Sequence, residues 1–143
     1  MNSNYIKTVL AFAIITANII LDHFWAPVGI LISPIITALA ALMINFDSKI
    51  PNIFIRSVLT FFVVALNDIG IKLYGGGIHD TEGMGVMNLF FMICAATGFV
   101  IFVACNFDLS LAFKGILSVA LFVLLAFLHL HFFGWLGLGR AYI

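Results

Sequence analysis

NDIGIKLYGGGIHDTEGMGVMN, residues 67–88, is the polar centre of an otherwise apolar chain. It holds Asp68, Lys72, His79, Asp80 and Glu82, five of the sixteen Asp, Glu, Lys, Arg and His side chains in 143 residues. Gly75, Gly76 and Gly77 stop a helix here and give a flexible loop, because three residues without Cβ disfavour helix and tolerate any turn. The segments on either side read as helices suited to lipid. The stretch is therefore a turn between two membrane crossings, and it concentrates the groups able to do chemistry.

Composition supports that reading. The chain is 64% hydrophobic and 8% charged, with a mean hydropathy of +1.26. Soluble domains carry about 25% charged residues, so lipid is the main solvent here. Upstream of the polar centre, Ile53–Tyr74 forms one apolar run, with Arg56 near one end and Asp68 and Lys72 near the other. Before it, a loop containing Asp47, Ser48, Lys49 and Pro51 follows an uncharged run from Pro27 to Phe46. Pro27 suits a first helical turn, whereas Pro34 is interior and is expected to kink the helix. The first run, Tyr5 to Trp25, measures about 31 Å as a helix and has an interfacial aromatic at each end. Downstream, Val86–Cys105 carries no charge, and Leu111–Phe133 follows a short loop. Cys94 and Gly98, like Ala13 and Ala17, are small pairs four apart, a weak signal of helix contact.

The expected fold is all-α: a single integral-membrane domain over residues 1–143, with transmembrane helices at about 5–25, 27–46, 53–74, 86–105 and 111–133. The alternative is four crossings, with the proline-broken first pair forming a re-entrant or interfacial hairpin. The N-terminus resembles a signal peptide only loosely and reads as a retained helix.

Several function classes fall away. Net charge is zero and no basic run exists, so nucleic acid is not an expected partner. No phosphate-binding glycine loop, G-x-S-x-G motif or paired redox cysteine occurs. Cys94 and Cys105 lie about 16 Å apart along one helix and cannot bridge within it.

Five crossings put Lys7, Lys49, Arg56 and Lys114 on one side and Lys72 and Arg140 on the other. That bias favours a cytoplasmic (inner) membrane protein with its N-terminus inside and C-terminus outside. The same topology gathers Asp22, His23, Asp68, Lys72, His79, Asp80, Glu82, His129 and His131 on the outer face. Asp68 and Lys72, four apart, share a helix face and can pair, and Asn67 adds an amide beside them. His79, Asp80 and Glu82 supply nitrogen and oxygen donors suited to zinc, manganese or iron, with His129 as a further ligand. The spacing matches no helical zinc motif, and a solvated loop is the plainer reading. His129 and His131 are about 200° apart on a helix, so one can face the bundle while the other meets the interface. Asp22 opposes the dipole at its helix end and needs a partner, with Lys72 or His23 as candidates. Arg56 is expected to reach for the inner interface.

The favoured expectation is a small multi-pass protein with an outer-leaflet site built from Asp22, His23, Asn67, Asp68, Lys72, His79, Asp80, Glu82 and His129. It would bind or move a small cation, proton or polar lipid headgroup, with a divalent metal ion as a candidate cofactor. A chain this short would act as a homo-oligomer in membrane lipid. The alternatives are an accessory or assembly subunit of a larger membrane complex, and a membrane enzyme acting on a lipid-borne substrate.

Overall fold

A computed structural model describes residues 5–74, 81–106 and 112–138. Within them the chain forms five helices: α1 (Ile6–Phe24), α2 (Val28–Asn45), α3 (Ile53–Tyr74), α4 (Thr81–Asn106) and α5 (Ala112–Phe133). No strand occurs among the described residues. All five helices are long and apolar enough to cross a membrane. With 19 and 18 residues, α1 and α2 each reach about 27 Å, so a re-entrant first pair is not needed. The protein is an all-helical, multi-pass membrane bundle.

The distribution of side chains suits lipid. Leu10, Leu31, Ile35, Phe62, Val100, Phe127 and Phe132 face outward. Asn18, Ser33, Asn45, Thr60, Asn67, Asp68, Lys72 and His129 face inward. Hydrocarbon does not penalise exposed Leu or Phe. It strongly penalises a polar group without a partner, so the polar residues collect between helices.

Helix α3 is the axis of the bundle and packs against all four other helices. Buried residues make up 44% of its apolar window, against 17% for α5, which rests mainly on α3 and lightly on α4. Two glycines permit the closest approaches. A Cβ at Gly29 would lie 2.4 Å from the Asp22 Cβ, and one at Gly70 would lie 2.2 Å from Ile19 Cδ1. These contacts draw α1 against α2 and α3. Cys94 and Gly98 are buried, with Gly98 against Val64 and Thr60 of α3, whereas Ala13 and Ala17 face outward.

Helix α2 continues through Pro34 as one helix. One local feature departs from the sequence expectation. Helix α4 begins at Thr81, five residues before the expected start, so Glu82 lies in its first turn rather than in a loop. A carboxylate there is favoured by the positive end of the helix dipole.

Candidate functional site: a buried carboxylate, lysine and histidine

Asp68 and Lys72 lie one turn apart near the C-terminal end of α3, and both are buried. Lys72 Nζ sits 2.8 Å from Asp68 Oδ2. From α5, His129 Nε2 approaches the same oxygen at 2.7 Å. An ionised carboxylate only accepts hydrogen bonds, so beside one this contact places a proton on His129 Nε2. Lys72 Nζ also donates to Asn88 Oδ1 of α4 at 2.9 Å and to the Phe133 carbonyl at 3.1 Å. These three acceptors match the three N–H groups of an ammonium. Asn88 Nδ2 donates to the Gly134 carbonyl at 3.0 Å. One ionised carboxylate thus ties together α3, α4, α5 and the turn after α5.

Aromatic rings enclose the imidazole. Phe91 stacks on His129 at 4.3 Å between centroids, Phe133 lies at 5.1 Å, and Phe61 meets it edge-on at 6.1 Å. Stacked rings offer their negative faces, an environment that tolerates a protonated imidazole. With Lys72 charged, Asp68 ionised and His129 neutral, the three groups sum to zero charge.

The other carboxylate oxygen, Asp68 Oδ1, is buried and has no hydrogen-bond partner. Asp68 lines a cavity of about 10 Å³ together with Ser33, Asn67 and Cys94. On the far side of Ser33 and Asn67, Asn18 Nδ2 donates to Asn67 Oδ1 at 2.8 Å and lies 3.2 Å from Ser33 Oγ. Asn67 Nδ2 donates to Ser33 Oγ at 2.9 Å, and Ser33 Oγ donates to the Gly29 carbonyl at 2.7 Å.

The remaining sequence candidates fall in different places. Asp22 is fully buried, and its Oδ1 accepts from the Ile30 amide at 3.1 Å. The charge that opposes the α1 dipole therefore meets the positive end of α2, a compensation that the spacing within α1 does not reveal. Lys72 directs its protons to Asp68, Asn88 and the Phe133 carbonyl. His23 stacks on Tyr74 at 4.3 Å, with Nδ1 2.7 Å from the Tyr74 carbonyl. Glu82 is exposed. His131 is exposed and stacks on Phe127, on the opposite side of α5 from His129. His79, Asp80 and the Gly75–Gly77 loop lie outside the described residues. Among the described residues no group of three or more His, Cys, Asp and Glu is placed to hold a metal ion.

Asn18, Ser33 and Asn88 complete the centre and were not singled out as site residues from sequence. Their signal is faint: single polar groups in apolar runs, with Asn18 four residues before Asp22.

The opposite end of the bundle is built differently. Arg56 lies in the first turn of α3. It is half-buried, donating from Nε to the Ile50 carbonyl at 2.6 Å and from Nη1 to Asn106 Oδ1 at 2.9 Å. Asn106 Nδ2 donates to Asn45 Oδ1 at 2.6 Å, and Asn45 Nδ2 to Thr60 Oγ1 at 2.9 Å. The loop residue Asp47 accepts from the Thr8 hydroxyl at 2.8 Å and from the amides of Thr8 and Lys49. Burial pushes the Asp47 carboxyl up, but the Lys49 and Thr8 donors and the Lys7 charge outweigh it and hold its pKa below the usual value. Comparison with protein-family models, curated proteins and solved structures finds no match, so this site is interpreted from its own geometry.

Proposed function

We propose that this protein binds and moves a proton or small cation through the centre on Asp68, with Lys72 and His129 setting the charge of the site. The observation that carries the reading is the asymmetry of one carboxylate. Oδ2 is shared by an ammonium and an imidazole, while Oδ1 is buried without a partner beside a cavity. Ionisable groups inside a membrane bundle are costly, and an unfinished acceptor among them marks a place where a ligand is bound and released. The aromatic enclosure of His129 supports a site able to accommodate a further positive charge.

The rival readings have less support. A lipid-borne substrate or headgroup needs a cleft, whereas the space at Asp68 is about one water in size. An accessory subunit would leave polar groups for a partner to satisfy at its surface. Here Lys72, His129 and Asn88 find their partners within the chain. The charge bias places the Asp68 end on the outer side of an inner membrane in this proposal. A bundle of five helices would act as a homo-oligomer.

The test is a titration. In lipid nanodiscs, the His129 ring ¹⁵N resonances and the carboxylic-acid infrared band of Asp68 should show a shared pH-dependent step. That step should disappear in Asp68→Asn. Proteoliposomes should pass protons or cations under an imposed potential, and Asp68→Asn should not. Absence of both the titration and the flux in the wild type would overturn the reading.

A further inference from the structure

The cavity next to Asp68 allows the ligand and its route to be named, resting on the proposed binding role of that carboxylate. Ile30 and Ser33 of α2, Val64 and Asn67 of α3, and Cys94 of α4 share its wall with Asp68. Its volume, about 10 Å³, is the size at which a single water fits, and a water needs two to four polar partners. Among the described residues, three buried oxygens have no hydrogen-bond partner: Asp68 Oδ1, Asn18 Oδ1 and Thr37 Oγ1. Asn18 is hydrogen-bonded to two wall residues, Ser33 and Asn67. Thr37 lies one turn from Ser33 on α2 and beside the weakly bonding Cys94 thiol. Of the three oxygens, Asp68 Oδ1 belongs to a residue on the cavity wall, where Ser33 and Asn67 supply further polar groups.

We propose that this cavity holds one water donating to Asp68 Oδ1, and that the water is the route by which a proton enters and leaves the site. Asp68 then has two functional sides. Oδ2 is committed to Lys72 and His129, so Oδ1 is the atom that takes the proton. A hydronium formed in the cavity transfers one proton to Oδ1, leaving a water and a carboxylic acid. The reverse step regenerates hydronium and carboxylate. The centre changes from zero net charge to +1 and back. The titratable or charged groups facing Asp68 among the described residues are Lys72 on α3, His129 on α5 and the Cys94 thiol of α4 across the cavity. Helix α2 contributes only Ser33 and Thr37. Helix α1 contributes Asn18, one turn before Asp22. A space for one water does not admit a hydrated alkali ion, and the ligand in this proposal is the proton.

The experiment follows the exchange of the His129 Nε2 proton with solvent in nanodiscs, alongside the titration described above. Filling the cavity from two walls, with Cys94→Met and separately with Val64→Ile, should slow exchange about tenfold while the titration step remains, because exchange then requires local opening. Val58→Ile, the same added methylene on the exposed face of α3, should exchange at the wild-type rate. Wild-type exchange in both filled variants would overturn the water route while leaving the binding role of Asp68 intact. A titration midpoint that moves with sodium but not with choline would overturn the proton as ligand. Absence of any titration in the wild type would overturn both.

Discussion

At the α1 N-terminal end of the bundle, Arg56, Asn106, Asn45 and Thr60 form a chain of donors and acceptors linking α2, α3 and α4. At the opposite end, Asp68, Lys72, His129 and Asn88 link α3, α4 and α5. Both networks sit where apolar side chains would pack more cheaply. The difference lies in completeness and chemistry. The Arg56 chain is built from amides, a hydroxyl and a guanidinium that stays charged at any accessible pH. None of its side-chain atoms is among the buried orphans, which are Asn18 Oδ1, Thr37 Oγ1 and Asp68 Oδ1. The Asp68 network contains groups that can exchange a proton, and it keeps one carboxylate oxygen open. A closed network specifies packing, whereas an open one containing ionisable groups retains the capacity to bind.

The largest effect expected from this contrast is at Lys72. Lys72→Met strands a buried carboxylate and should cost about 3–5 kcal/mol, while Lys72→Met with Asp68→Asn should recover most of it. Unfolding in mild detergent measures both. A double variant as unstable as the sum of the singles would mean that the two groups act separately.

Arg56→Met comes next, with an expected loss of about 2–3 kcal/mol from broken charge-assisted hydrogen bonds. The same assay should show that loss to be independent of pH and the Asp68–His129 titration to be unchanged. A shifted titration would show that the two ends are coupled.

Gly29→Ala should cost about 1–3 kcal/mol, because the new methyl meets Asp22 Cβ and the Asn18 carbonyl. It should also perturb the Asn18 side-chain amide resonance, because Asn18 Nδ2 donates to the Gly29 carbonyl at 3.2 Å.

The smallest effect belongs to Asp47, at the closed end. Its pKa is lowered in the folded protein, so its contribution is fully present above the unfolded aspartate value, about 3.9, and is lost as pH falls through the folded value. Asp47→Asn should therefore cost about 1 kcal/mol at neutral pH and nothing in strong acid. A difference that persists unchanged below pH 3 would assign the effect to lost packing rather than charge.

Some of the candidate site was legible in the chain. The four-residue spacing of Asp68 and Lys72 requires a shared helix face. The separation of His129 and His131 requires opposite exposures, and only His129 is buried. Spacing within one helix could not reveal the compensation of Asp22, because its donor is the Ile30 amide across a turn. It could not reveal the role of Asn88, which depends on how α4 lies against α3 and the end of α5. Nor could it reveal the partners of Arg56, the Ile50 carbonyl and Asn106, which depend on how the loop before α3 and the end of α4 meet it.

The sequence by itself determined an all-helical membrane bundle and favoured five crossings over four, because hydrocarbon length and the penalty for unpaired backbone groups act on each apolar run separately. Given five crossings, it also led to the expectation that most of the ionisable groups share one end of the bundle. Tertiary structure alone decided that Asp68 meets His129. It also decided that one oxygen of Asp68 is left open. These outcomes depend on side chains from different helices arriving within hydrogen-bond distance of each other, and such distances are set by how the helices pack.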